Sequence, residues 1–277
     1  TKRIELKDSG VFFNEELHQY WLGNKQLSGI TGMLQRQLFP DEFEGIPEYR
    51  IKSAAEYGTQ VHISIEDFDK NWINDGIQEV ADYIEICKEH GLVHECSEYT
   101  VTDGKNWASN IDKVYRVDDT TFDICDIKTY GTMTSEKLEK ARWQLSIYAY
   151  LFELQNKKAK VGNLFIMHLR NKPKKDGTFD HIADLIPISR IPSEICKELL
   201  DCDLRGEQFE NPYNIPEEIR NHESEIRELI QTKNEVEERL STLKSKILLE
   251  MEMMDVKLWF TDTMRLTRKL PGIRTSF

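Results

Sequence analysis

Hydrophobic and polar positions trade places every second residue along Thr121-Phe-Asp-Ile-Cys-Asp-Ile-Lys-Thr129, a stretch rich in β-branched and aromatic side chains. That period predicts a strand, with Phe122, Ile124, Asp126 and Lys128 on one face. The first two suit a core. Asp126 and Lys128 put a carboxylate and an ammonium on the same face, and a core tolerates those only when paired or bound to metal. Upstream, Glu98 to Val117 reads as two strands broken by Asp103-Gly104, a strong hairpin turn signal. Val161 to Arg170 and Phe179 to Ile188 predict another hairpin, with a lysine-rich tip ending in Asp176-Gly177. Val11 to Ile30 alternates in short runs and predicts a small hairpin or meander that packs Tyr20, Trp21 and Leu22.

Helical spacing takes over in four other segments: Glu48 to Lys70, Ile77 to His90, a helix capped by Ser135, and Pro192 to Arg205. In the third, Leu138, Leu145 and Phe152 are expected core contacts. Strands around one central helix, with flanking hairpins, predict a mixed α/β domain. From Pro216 the pattern changes again. Ile219, Ile226, Leu240, Ile247 and Met254 fall at one heptad position, and Leu229, Val236 and Leu243 at the other, with His222, Lys233 and Glu250 interrupting. This predicts a long helix of about five heptads with coiled-coil-like spacing, then a short hairpin of Lys257–Phe260 against Met264–Thr267. The expected division is a lead-in at 1–47, a core at 48–215 and a helical arm with terminal hairpin at 216–277. The helix at 216–255 is expected to self-associate, to dock a partner protein or to fold back on its own domain.

With 277 residues, 39% of them hydrophobic, the chain can bury a sizeable core. No apolar run approaches membrane-spanning length and no signal-peptide pattern stands at the amino end, so the expectation is a cytoplasmic protein without membrane contact. Five cysteines at 87, 96, 125, 196 and 202 form no CxxC pair and fit reduced thiols. A formal net charge of −12 argues against a general nucleic-acid coat protein. It leaves room for an enzyme whose clustered carboxylates hold cations.

Asp112, on the strand before the central one, is expected to approach Asp126 across an antiparallel pair. Two carboxylates and a backbone carbonyl form the oxygen set that Mg²⁺ or Mn²⁺ prefers, and Lys128 could then hold an attacking water or steady a phosphate charge. The bland alternative is a surface acid pair with a salt-bridging lysine. His62 and Glu66 stand at i,i+4 on one helical face behind Gly58, as do Gln144 and Tyr148 on the central helix. The plain readings there are a packed histidine oriented by Glu66 and an ordinary amphipathic surface.

Taken in order, Gly58-x-x-x-His62, Ile111-Asp112, Asp126-Ile-Lys128 and Gln144-Leu-Ser-Ile-Tyr148 resemble the RecB-type branch of the PD-(D/E)XK nucleases over roughly residues 11–190. The fold implied is a restriction-endonuclease-like core, a central mixed sheet flanked by helices. His18-Gln-Tyr-Trp21 and Ser28-Gly-Ile-Thr31 resemble the lead-in of phage-encoded members, and the coiled helix with a hairpin tail ending Arg274-Thr-Ser-Phe277 is similar to the carboxy-terminal end of phage recombination nucleases. The resemblance implies His62, Asp112, Asp126 and the Ile127 carbonyl as metal ligands, with Lys128, Asp126 and Asp112 catalytic. Gln144 and Tyr148 would line the site and position DNA phosphate, with Glu66 a further candidate. A glycine usual shortly before the motif aspartate is replaced here by Ser109 or Asn110.

The function implied is a Mg²⁺- or Mn²⁺-dependent deoxyribonuclease, an exonuclease of phage type serving DNA recombination or repair, with DNA as its substrate and a recombination protein as a candidate partner of the helix. The alternatives are a structure-specific or defence endonuclease on the same core, and a catalytically silent DNA-binding module. Some relatives carry an iron–sulfur cluster. Cys196-x₅-Cys202 has one suitable spacing, but the adjacent CxxC is missing, which argues against one here. DNA contact needs local basic patches. His168, Arg170, Lys172, Lys174 and Lys175 are expected at one hairpin end, and Arg265, Arg268, Lys269 and Arg274 at the other hairpin.

Overall fold

The computed structural model describes residues 3–14, 17–214 and 217–268, so Lys269, Arg274 and the Arg274-Thr-Ser-Phe277 ending lie outside the described residues. Two compact units divide the chain at Glu210. In the first, β1 (Val11–Asn14), β2 (Gln19–Leu22), β3 (Lys25–Gly29) and α1 (Ile30–Gln37) are followed by α2 (Glu48–Asn71) and α3 (Gln78–Glu89). Then come β4 (His94–Thr102), β5 (Trp107–Arg116), β6 (Thr121–Lys128), α4 (Ser135–Gln155), β7 (Lys160–Pro173), β8 (Phe179–Ile188) and α5 (Ser193–Arg205).

Eight strands form one mixed sheet in the order β1-β2-β3-β5-β6-β7-β8, with β4 also paired to β5. Neighbours β4–β5, β5–β6 and β7–β8 run antiparallel, while β6 and β7 run parallel. A parallel pair needs a long crossover, and α4 supplies it. The expected α/β class, strands and hairpins are all present, and the amino-terminal strands continue the same sheet through a short parallel pairing of Ser28 with Trp107 and Gly29 with Ala108.

The sheet is covered on both faces. Cys125 and Ile127 of β6 pack with Val61 and Ile65 of α2 and with Val80 and Tyr83 of α3. On the alternate positions Phe122 meets Phe152 of α4, their rings 5.5 Å apart. Helix α4 is buried nearly all round, with Trp143, Leu145, Ile147, Leu151 and Phe152 shielded from solvent, so it carries no single apolar stripe. Its start differs from expectation by one residue. Thr134, in an extended conformation, accepts from the Lys137 N–H at 3.3 Å, and Ser135 is the first helical residue.

In the second unit, α6 (Glu217–Met253) is followed by β9 (Leu258–Phe260) and β10 (Arg265–Thr267), which pair antiparallel. Arg268 ties this hairpin back, donating from Nη1 to the Met251 carbonyl at 3.1 Å. The expected heptad positions Ile226, Leu229, Val236, Leu240 and Leu243 are all exposed on α6.

Candidate active site

The alternation of β6 carries its face out of the core at Asp126. This carboxylate is 2% exposed, and its Oδ2 lies 2.6 Å from Nζ of Lys128, two residues along the same face. Gln144 of α4 donates from Nε2 to Asp126 Oδ1 at 3.3 Å and to the Tyr148 hydroxyl at 2.7 Å. Ser109 Oγ donates to that same hydroxyl at 3.1 Å. One turn of α4 thus buttresses the carboxylate, and the i,i+4 spacing of Gln144 and Tyr148 is the reason they meet. Burial raises the Asp126 carboxyl above the usual range, against the pull of Lys128. Burial also works against the Lys128 charge, but the Asp126 carboxylate overrides it and raises the ammonium's pKa. The pair therefore stands as carboxylate and ammonium.

The β5–β6 register pairs Lys113 with Cys125, so one step further sets Asp112 across from Asp126. Asp112 Oδ2 accepts from the Ile127 N–H at 2.7 Å. Helix α2 delivers His62 to the same spot, its Nε2 3.2 Å from the Ile127 carbonyl. Gly58, one turn earlier, lies against the end of β6: a Cβ there would stand 3.4 Å from Thr129 Oγ1. His62 Nδ1 lies 3.8 Å from Asp112 Oδ2 and 3.9 Å from Glu98 Oε1. Burial opposes protonation of this imidazole, yet Asp112 and Glu98 prevail and push it up to about 9.

Every residue of the expected ligand set is thus gathered at the end of β6, and one more stands beside them. His62, Glu98 and Asp112 offer one donor atom each, all within 4.8 Å of one another. Imidazole nitrogen with carboxylate and carbonyl oxygens suits a hard divalent cation. In the sequence Glu98 marks only the start of a predicted strand. Its signal was a register position: the pairs Ser97–Lys113 and Tyr99–Ile111 flank it and leave it facing Asp112.

Other expected site residues are distributed differently. Glu66 is engaged by Lys70, one turn on, rather than by the cluster. Gln144 and Tyr148 are buried, so they act on Asp126 instead of presenting themselves to solvent. Arg170 reaches the Thr129 carbonyl at 3.0 Å and pairs with Asp180, which sets it beside the β6 end. Lys172 stacks over the Tyr57 ring at 4.0 Å, and Lys174 sits in the β7–β8 turn, its N–H on the Thr178 carbonyl. His168 departs from the expected basic patch: it is 3% exposed, with Nε2 2.8 Å from the Tyr130 carbonyl. It faces inward because β7 is a central strand there, with side chains buried on both faces.

No curated protein matches the chain. Among solved structures, SSO0001 is 14% identical, with 67% of this chain and 88% of that one covered, at a TM-score of 0.30. An alkaline exonuclease (LHK-Exo) from Laribacter hongkongensis is 10% identical, with 76% and 94% covered, also at 0.30. Likenesses this slight add nothing to the assignment. A family model does, matching residues 106–257, more than half of the chain and the whole run from Asp112 through Asp126 and Lys128 to Tyr148. On that match, and with those side chains meeting at the end of β6, the chain belongs to the PD-(D/E)XK nuclease superfamily.

Proposed function

We propose that this nuclease is a Mg²⁺- or Mn²⁺-dependent deoxyribonuclease of the RecB-like, phage-type branch, acting as an exonuclease in DNA recombination or repair. One observation carries the reading: three contacts at the end of β6. His62 Nε2 lies 3.2 Å from the Ile127 carbonyl, Asp112 Oδ2 accepts from the Ile127 N–H at 2.7 Å, and the Lys128 ammonium stands 2.6 Å from Asp126. A divalent cation bound there would supply Lewis acidity to the scissile phosphate and lower the pKa of a water beside it. The chain's own residues do the rest. Lys128 aligns the attacking water and offsets the charge that builds on the phosphorane oxygens. Gln144 and Tyr148 hold the Asp126 carboxylate in its rotamer, so the ligand geometry is set before substrate arrives. Arg170, Lys172 and Lys174 give the β7–β8 hairpin a positive side for the phosphate backbone, and the exposed stripe of α6 is a surface for self-association or a recombination partner.

The test is a time course on end-labelled linear duplex and covalently closed circular DNA with Mg²⁺, Mn²⁺ or EDTA. The expected outcome is metal-dependent loss of the linear duplex, sparing of the closed circle, and loss of activity by a factor of about 100 or more in Lys128→Ala. Cutting of the closed circle would favour the endonuclease alternative. Full activity in Lys128→Ala would remove the assignment of that residue.

A further inference from the structure

Glu98 takes no part in the ligand set just described, and the family match begins at residue 106, beyond it. Its surroundings are nonetheless those of a metal ligand. Glu98 Oε1 and Asp112 Oδ2 stand 3.9 and 3.8 Å from His62 Nδ1, and the three donor atoms lie within 4.8 Å of one another. Donors at about 2.1 Å from one octahedral cation are separated by about 3.0 Å when adjacent and about 4.2 Å when opposite. Both spacings to His62 Nδ1 fall inside that interval, so a small rotation of the side chains closes the set on an ion.

Charge points the same way. Among the described residues, neither Glu98 nor Asp112 has a lysine or arginine within ion-pair distance, and His62 stands beside both. Asp126, by contrast, already has Lys128 on Oδ2 and Gln144 on Oδ1. Two carboxylates facing each other repel, and a divalent ion offsets that repulsion further than a single imidazolium does. The Glu98 side chain is 36% exposed, against 14% for Asp112, so this side of the cluster opens to solvent and leaves coordination positions for water and phosphate.

The backbone is shaped to aim it. Glu98 has φ of 50°, the left-handed region that a non-glycine residue seldom adopts, in the interior of β4. The ladder skips it, pairing Ser97 with Lys113 and Tyr99 with Ile111 on either side. Such a conformation is unfavourable for a residue with a side chain and persists where surrounding structure enforces it.

We propose that Glu98 is a ligand of the divalent cation, closing with His62 Nδ1 and Asp112 a coordination set on the side of Asp112 away from Lys128. This rests on the metal-dependent reading above, which could stand without it. The experiment is a Mn²⁺ titration of the full chain, by calorimetry and by the loss of the free-ion electron paramagnetic resonance signal, in wild type, Glu98→Gln and Glu98→Asp. It is paired with an anomalous difference map from crystals soaked in Mn²⁺. Melting in EDTA checks that each variant is folded. The expected result is a Kd for Mn²⁺ raised about tenfold or more in Glu98→Gln and partly restored in Glu98→Asp, with an anomalous peak at bonding distance from the wild-type Glu98 carboxylate. If wild type binds and cleaves with Mn²⁺, an unchanged Kd in Glu98→Gln or a peak beyond reach of Glu98 would overturn the proposal and leave the nuclease reading intact. Wild type that neither binds Mn²⁺ nor cleaves DNA would overturn both.

Discussion

Asp126 is a buried carboxylate that is both ionised and fixed in orientation. Burial alone raises its pKa, and Lys128 at 2.6 Å is the countercharge that keeps the carboxylate form. Orientation falls to Gln144, whose Nε2 is shared between Asp126 Oδ1 and the Tyr148 hydroxyl. Gln144→Ala leaves both buried oxygens without that donor, at a cost of about 1–3 kcal/mol, since an unsatisfied buried group costs more than a formed bond gains. Urea unfolding in EDTA measures the loss free of metal effects. The same variant should also cleave more slowly than wild type at saturating metal, because a mobile Asp126 no longer presents its oxygens in one geometry. Unchanged stability would mean that water takes over the role of the amide.

At the scale of elements, the site depends on α4 being fixed to the strands around it. Near its carboxy-terminal end Glu153 receives both Arg190 nitrogens, at 2.9 and 2.6 Å, and the Val161 N–H at 2.9 Å. Helix α4, the start of β7 and the segment leading to α5 meet on that one carboxylate. Burial by itself would raise its pKa, but Arg190 and the Val161 N–H more than offset it and hold Glu153 below the ordinary value. A folded-state pKa below the unfolded one adds stability above the unfolded value, and that contribution is lost as pH falls through the folded value. The partners are more than a quarter exposed, so solvent screening limits the effect. We expect Glu153→Gln to be less stable than wild type by about 1 kcal/mol at neutral pH, with the gap closing as pH falls below about 4. Denaturant midpoints taken across that window measure it, and a gap that stayed constant would assign the loss to packing.

For the whole molecule, a net charge of −12 is partly a consequence of the site. His62, Glu98 and Asp112 bring two carboxylates and one imidazole together, their donor atoms within 4.8 Å of one another. Binding of a cation to the folded state alone stabilises by mass action, about 2.7 kcal/mol at a hundredfold excess over Kd. Mn²⁺ is therefore expected to raise the melting temperature of the first unit, EDTA to reverse the rise, and Asp112→Ala to abolish it. A rise that persists in Asp112→Ala would place the stabilising ion somewhere else. Differential scanning calorimetry distinguishes these outcomes, and it resolves the melting of the second unit separately where the two transitions differ.

Much of this protein was legible in its sequence because the governing physics is local. The two-residue alternation of 121–128, the Asp103-Gly104 turn and the helical spacing from Glu48 to Lys70 depend only on neighbours in the chain, and each became the expected element. The heptads of α6 were legible for the same reason. Ordered motifs marked His62, Asp112, Asp126, Lys128, Gln144 and Tyr148, and all six stand at or beside the end of β6. What the chain alone left undecided turns on distant partners. Helix α1 and the parallel pairing of β3 with β5 are too short to announce themselves. His168 is buried because β7 is an inner strand, whereas its basic neighbours suggested a surface patch. Glu66 was equivalent to a site residue by spacing until Lys70 took its carboxylate. Glu98 is the clearest case. Nothing near it in sequence marks it, and only the β4–β5 register, with a left-handed backbone at that residue, brings its carboxylate to His62 and Asp112. Local periodicity fixes which elements form, while strand register and helix docking decide which charges meet.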